Sequence, residues 1–301
     1  PRPKPARNWG QTFKRLFLWG IVFSVIGFAL LSMGVILAYA SIANDLPELA
    51  DLRAQASQFE TAQIYDRNGN LLYSLADPSS GNRIYVPLSQ ISPYLISATI
   101  ATEDSRFYTN PGFDPIGIAR AVYQAAREGE FVSGASTITQ QLVRAIVLDE
   151  EERTQRTFNR KVREIILSAE IYRRYEKDEI LELYLNEIYY GNWAYGIEAA
   201  AQTYYHKSAR DLTLAEASLM AGLPQAPAAW DPITAPELAL GRQSEVLFLM
   251  RQEGYITAEE GQVALNESAN YVRYQMTPPE VTIRYPHFTF YVLTESERLL
   301  G

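Results

Sequence analysis

The hydropathy pattern of this chain is dominated by 27 consecutive residues without a charge, Leu16 to Ile42. About 20 apolar residues cross a bilayer as a helix, so the pattern predicts a transmembrane helix over 16–42. The run is too long for the apolar core of a cleavable signal. Five bases precede it (Arg2, Lys4, Arg7, Lys14, Arg15) with no acid among them, and Asn44-Asp45 follow it. The positive-inside rule then makes 1–15 a cytoplasmic tail and places the body outside.

Beyond the helix the period changes. Residues 43–92 read as a connector with a small β-hairpin. Apolar and polar positions alternate from Thr61 to Leu75 around Asp66-Arg67-Asn68-Gly69-Asn70, and Asn-Gly marks a tight turn. Arg83 to Val86 reads as a further short strand. From Pro93 the spacing is helical almost to the end. Asp114 before Pro115 is an N-cap followed by proline at the first helical position. Gly134 to Leu148 reads as a loop entering a helix. Segments 156–175, 177–189, 213–223 and 235–253 read as further helices. The pattern gives a mainly α body over 93–275 and a tail over 276–301.

Composition narrows the function. The 301 residues carry a net charge of -8, yet from Asn44 onward 22 bases face 35 acids. An acidic body argues against broad nucleic-acid binding. The absence of cysteine excludes disulfides, a thiol nucleophile and cysteine-based zinc. His206 and His287 each lack a nearby ligand partner, so no metal cage is expected.

Three blocks carry candidate chemistry. Glu103-Asp104 is an acid pair whose members do not face the same way on a helix. Glu103 is assigned to a cleft and Asp104 to orientation or substrate contact; an ordinary solvated pair is the plain alternative. Ser136 and Thr137 sit near a helix start, where hydroxyls and free N–H groups bind phosphate or sugar, or merely cap the helix. Gln140 and Gln141 add neutral hydrogen bonds in the first turns. Arg156, Arg160 and Glu164 recur every four residues, with Lys161 beside them, so one helix can aim three cations and an acid at a point. Phe158, Val162, Ile165, Ala169 and Tyr172 fall on a different face, suited to the core. A surface Arg160–Glu164 pair, worth about 0.3–0.5 kcal/mol, is the alternative. Acids suit proton transfer at a sugar and cations suit a phosphate, so the blocks together point to glycosyl transfer from a phosphate carrier.

In order along the chain, these blocks resemble the glycosyltransferase domain of class A penicillin-binding proteins, the peptidoglycan glycosyltransferases of family 51. The resemblance runs from about Thr61 to Arg251. It rests on Glu103-Asp104-Ser105-Arg106-Phe107, Gly134 to Gln141, Arg160-Lys161-Val162-Arg163-Glu164, Lys177 to Asn186 and a looser Arg242 to Leu247. Asn110 stands where the family often has His, and Arg242-Gln243 where it often has Arg-Arg. The resemblance implies a lysozyme-like helical fold and polymerisation of lipid II into β-1,4-linked glycan strands. It makes Glu103 the general base. Lys161, Arg156, Arg160 and Arg144 would neutralise departing undecaprenyl pyrophosphate. Glu164 would orient those cations or assist the leaving group, and the pattern admits a divalent ion (magnesium or manganese) there without requiring one. Ser136, Thr137, Gln140, Gln141 and Asn186 would hold sugar and phosphate. Leu142, Val143, Ile146, Val147 and Leu148 either touch lipid or form core.

The implied partners are lipid II, the growing strand, membrane lipid and a cell-wall synthesis complex, at the bacterial cytoplasmic membrane. The tail over 276–301 resembles the start of a linker to a transpeptidase domain. A glycan-cleaving enzyme with a lysozyme-like body is the alternative, and a non-catalytic membrane scaffold a third reading.

Overall fold

The computed structural model describes residues 9–43, 46, 61–69, 71–75, 81–128, 136–148, 150–155, 157–277 and 285–300. The chain divides into two compact units, Pro1–Leu46 and Pro47–Gly301. In the first, helix α1 (Trp9–Ala43) is long and apolar enough to cross a membrane over Phe13–Ala43.

The second unit is mostly helical. It opens with an antiparallel hairpin, β1 (Ala62–Tyr65) and β2 (Leu71–Leu75), with a bulge at Ile64/Tyr65. At its turn the Asn68 N–H donates to Asp66 Oδ1, and Gly69 adopts φ 81°. Strand β3 (Asn82–Arg83) then leads by a short 3-10 turn to α2 (Pro93–Glu103) and α3 (Pro115–Glu128). Helices α4 (Ile138–Ile146), α5 (Glu150–Thr154), α6 (Phe158–Arg174) and α7 (Lys177–Glu187) follow. After β4 (Ala194–Tyr195), which pairs in parallel with β3, come α8 (Ile197–Tyr205), α9 (Leu214–Gly222), α10 (Pro236–Gln252), α11 (Ala258–Tyr274) and α12 (Pro286–Leu300).

Two helix groups build the core. Helix α2 packs on α9 and α10, with α11 behind them; α4 packs on α6 and α7. Leu95, Ala217, Leu219, Val246 and Met250 fill the first group, and Ile138, Leu142, Leu167, Ile171 and Ile180 the second. Burial of such side chains contributes about 1.5–3 kcal/mol each.

One expectation is corrected. Helix α6 does not bury the face of Val162, Ile165 and Ala169, which are only half-buried, and Tyr172 is exposed. It buries Glu164, Leu167, Ser168 and Ile171, the face that carries the candidate acid. Charge compensation, described below, is what lets an acid lie there. Of the two readings open for the apolar run, Leu142, Val143 and Leu148 take the core one. Within the tail over 276–301, Pro286–Leu300 forms α12. Within the connector expected over 43–92, residues 47–60 lie outside the described residues.

Candidate active site

Helix α2 ends at Glu103, and Asp104 leaves it at φ -162°, ψ 79°. The two acids are thus separated by a change of backbone direction. Glu103 Oε2 accepts from Gln141 Nε2 at 2.5 Å, and Gln141 Oε1 accepts from the Tyr184 hydroxyl at 3.2 Å. Its other oxygen, Oε1, is buried and unpartnered. Burial is the main force raising the Glu103 carboxyl above its ordinary pKa; the Gln141 bond and the Arg242 charge oppose it, and Asp104 adds to it. Arg242 stacks on Trp230 and donates to Glu245 Oε2 at 2.8 Å.

Asp104 anchors the loop that follows. Both its oxygens accept from Asn110 Nδ2 at 2.8 Å, and Oδ2 accepts from the Ile138 N–H at 3.3 Å. A carboxylate at that helix start is favoured by the helix dipole. Asn110 Oδ1 accepts from the Gly112 N–H and from Lys177 Nζ, which also donates to the Asn110 carbonyl at 2.9 Å. The Lys177 ammonium lies 4.6 Å from the centroids of both Phe107 and Tyr172. Gly112 has φ 87°, and a Cβ there would collide with the Ser168 carbonyl oxygen of α6. Only glycine lets the loop lie this close to α6.

The cations gather around Glu164, which is 0% exposed. Its carboxylate accepts from Lys161 Nζ at 2.7 Å, Arg160 Nη1 at 3.0 Å and Arg144 Nη2 at 3.1 Å. One negative charge is therefore held by three positive ones, which rules out the simple surface pair. Lys161 Nζ also donates to Ser136 Oγ at 3.0 Å and Gln140 Oε1 at 3.4 Å, and Arg144 Nη2 reaches Ser136 Oγ at 3.5 Å. Burial lowers the Lys161 pKa, against the pull of Glu164. Lys161 and Arg144 stay about one-third exposed, at 33% and 36%, so they can face a ligand. Both oxygens of Glu164 are occupied by cationic donors, a set that does not fit a divalent metal.

Helix α4 joins acid and cations. Its neighbouring residues Gln140 and Gln141 touch Lys161 and Glu103 respectively, and Arg144, one turn on, touches Glu164. Acid and cations are thus each held by a residue in the first turn of α4.

Not every candidate faces this place. Thr137 is buried, its Oγ1 capping α4 and donating to the Gly112 carbonyl, while Gln140 completes the capping box and, though buried, still meets Lys161. The Asn186 amide is spent on the N–H and carbonyl of Val86 and on the Glu182 carbonyl. Arg156, Gly134 and Ala135 lie outside the described residues. Sequence reasoning passed over Tyr184 and Tyr190, whose hydroxyl pKa values Glu103 helps burial to raise, and Lys177 and Asn110 as a brace for Asp104. Asn110 was visible as a departure from the family pattern, but its partner is 67 residues away.

The transglycosylase family model matches residues 68–251, a stretch that contains every candidate named above. The chain belongs to the transglycosylase family. It is similar to penicillin-binding protein 1A of Escherichia coli K12, with 42% identity over 263 residues, covering 87% of this chain and 30% of that protein. The Aquifex aeolicus relative of the same name is 40% identical over 248 residues, covering 82% and 33%. This transglycosylase thus spans about a third of the length of those relatives. A crystal structure of penicillin-binding protein 1A from Haemophilus influenzae aligns with 80% of this chain and 25% of its own, at 27% identity and a TM-score of 0.42.

Proposed function

We propose that this chain is a peptidoglycan glycosyltransferase anchored in the bacterial cytoplasmic membrane by α1, with residues 1–15 inside and the body outside. Its substrate is lipid II and its product a β-1,4-linked glycan strand. The Glu103 carboxylate takes the proton of the acceptor 4-hydroxyl. That oxygen attacks C1 of the donor sugar with inversion. The bond from C1 to the pyrophosphate oxygen breaks, and undecaprenyl pyrophosphate leaves with the electron pair. Lys161, Arg144 and Arg160 carry three positive charges against the single one of Glu164, and the surplus meets the departing pyrophosphate. Ser136 Oγ accepts from two of these cations, so its own proton is free to donate to a phosphate oxygen.

The observation that carries this reading is the pair Gln140–Gln141, which sets a carboxyl of raised pKa beside a surplus of cations. A glycan-cleaving enzyme has no pyrophosphate to neutralise, and the cation surplus speaks against it. The test supplies lipid II to the chain in detergent and follows polymer and released undecaprenyl pyrophosphate. Glu103→Gln is expected to abolish both. Polymer made equally well by that variant, or no polymer from folded wild type, overturns the proposal.

A further inference from the structure

Two consecutive non-glycine residues, Asn192 and Trp193, hold left-handed backbone at φ 46° and 62°. A bulky residue with positive φ is a real outlier, and such conformations persist where the surroundings enforce them. Here they do. The Asn192 Nδ2 donates to the Tyr204 hydroxyl at 3.1 Å and Asp231 Oδ1 at 3.0 Å. The Trp193 N–H reaches the Tyr189 hydroxyl at 3.4 Å, and the Trp193 carbonyl accepts from the Asn82 N–H at 2.7 Å. Ala194 closes the turn on the Gly191 carbonyl at 2.9 Å. The turn is rigid, yet the residue it strains is 62% exposed, and its indole has no ring or cation partner among the described residues. Packing does not explain such an arrangement; presentation of the indole does.

The surroundings say to what. Tyr189 and Tyr195 lie beside the turn with ring centroids 4.7 Å apart, and Arg83 covers Tyr195 at 4.4 Å. The Asn192 side chain and the Tyr189 hydroxyl give the turn a polar rim, with Asp231 buried behind Asn192. An aromatic face inside a hydrogen-bonding rim matches a pyranose, whose C–H face is apolar and whose edge bears hydroxyls. A lipid-facing indole would sit in an apolar patch instead. We infer that Trp193 is the floor of a carbohydrate subsite, taking one sugar ring of the glycan strand by stacking. The choice of a glycan as ligand rests on the glycosyltransferase reading above.

Short β-1,4-linked N-acetylglucosamine oligomers are the probe, titrated into the full chain in detergent by calorimetry and tryptophan fluorescence. Wild type is expected to bind with quenching. Trp193→Ala is expected to lose the quench and about tenfold in affinity, and Trp193→Phe to retain part of the binding. Trp193→Gly relieves the backbone, so it is expected to melt at a higher temperature while losing the sugar, a combination that a merely structural tryptophan would not give. Binding by Trp193→Ala and Trp193→Gly at wild-type strength overturns the subsite. So does an indole that responds to phospholipid vesicles and not to oligomers. The titration is repeated in Glu103→Gln, where stacking persists without the base. Polymer formed with no binding dependent on Trp193 sinks the subsite alone; binding dependent on Trp193 with no polymer from wild type sinks the glycosyltransferase reading alone.

Discussion

Glu103 carries its charge at a cost to stability. Its carboxyl is raised by burial, so the folded state holds a proton above the pH at which the unfolded chain releases it. Stability therefore falls as pH rises from about 4.5 through the folded value. Glu103→Gln lacks this penalty and is expected to be more stable than wild type at neutral pH, with the advantage disappearing below about pH 4; urea unfolding at the two pH values checks this. Lys177 behaves in the other sense. Burial lowers it to about 8, so the folded state sheds its proton before the unfolded chain does. Its contribution to stability rises between about pH 8 and about 10.5. A urea series is expected to show wild type gaining on Lys177→Met across that window. Glu164 is the reverse of a penalty, since it holds the cations together. Glu164→Ala leaves three positive charges without their acid and is expected to cost about 3 kcal/mol, read from the shift of the urea midpoint.

Among the elements, α4 and α6 show how far sequence could reach. The hairpin turn was legible because Asn68-Gly69 is a local signal, and the site-bearing helices were legible from spacing. The face of α6 was not. In a one-dimensional pattern Arg160 and Glu164 look like a solvated pair, and nothing local says that Arg144, 20 residues earlier, makes burial of Glu164 tolerable. The roles of Asn186 and Asn110 were hidden for the same reason: their partners lie 100 and 67 residues away. Thr137 was legible as a cap or a ligand, and the capping box with Gln140 explains its burial. Thr137→Ala is expected to lose about 1–2 kcal/mol, measured by thermal unfolding. It is also expected to lower activity more than its stability loss alone, because α4 carries Gln140, Gln141 and Arg144.

For the whole molecule, the division at Leu46 makes the anchor and the body separable. A protein beginning at Pro47 is expected to keep the helical circular dichroism of the second unit and to lose flotation with liposomes. Within the body, α4 packs on α6 and α7 and is joined to the end of α2 through the Gln141–Glu103 bond, a narrow seam between the acid and the cations. It has nine residues, too few to persist as a helix by itself, and it stays in place only while both neighbours grip it. Modest warming that frays this one seam would part the acid from the cations while the other helices remain wound. Turnover is then expected to fade several degrees before the dichroism changes, so that this protein falls silent on heating well before it comes apart.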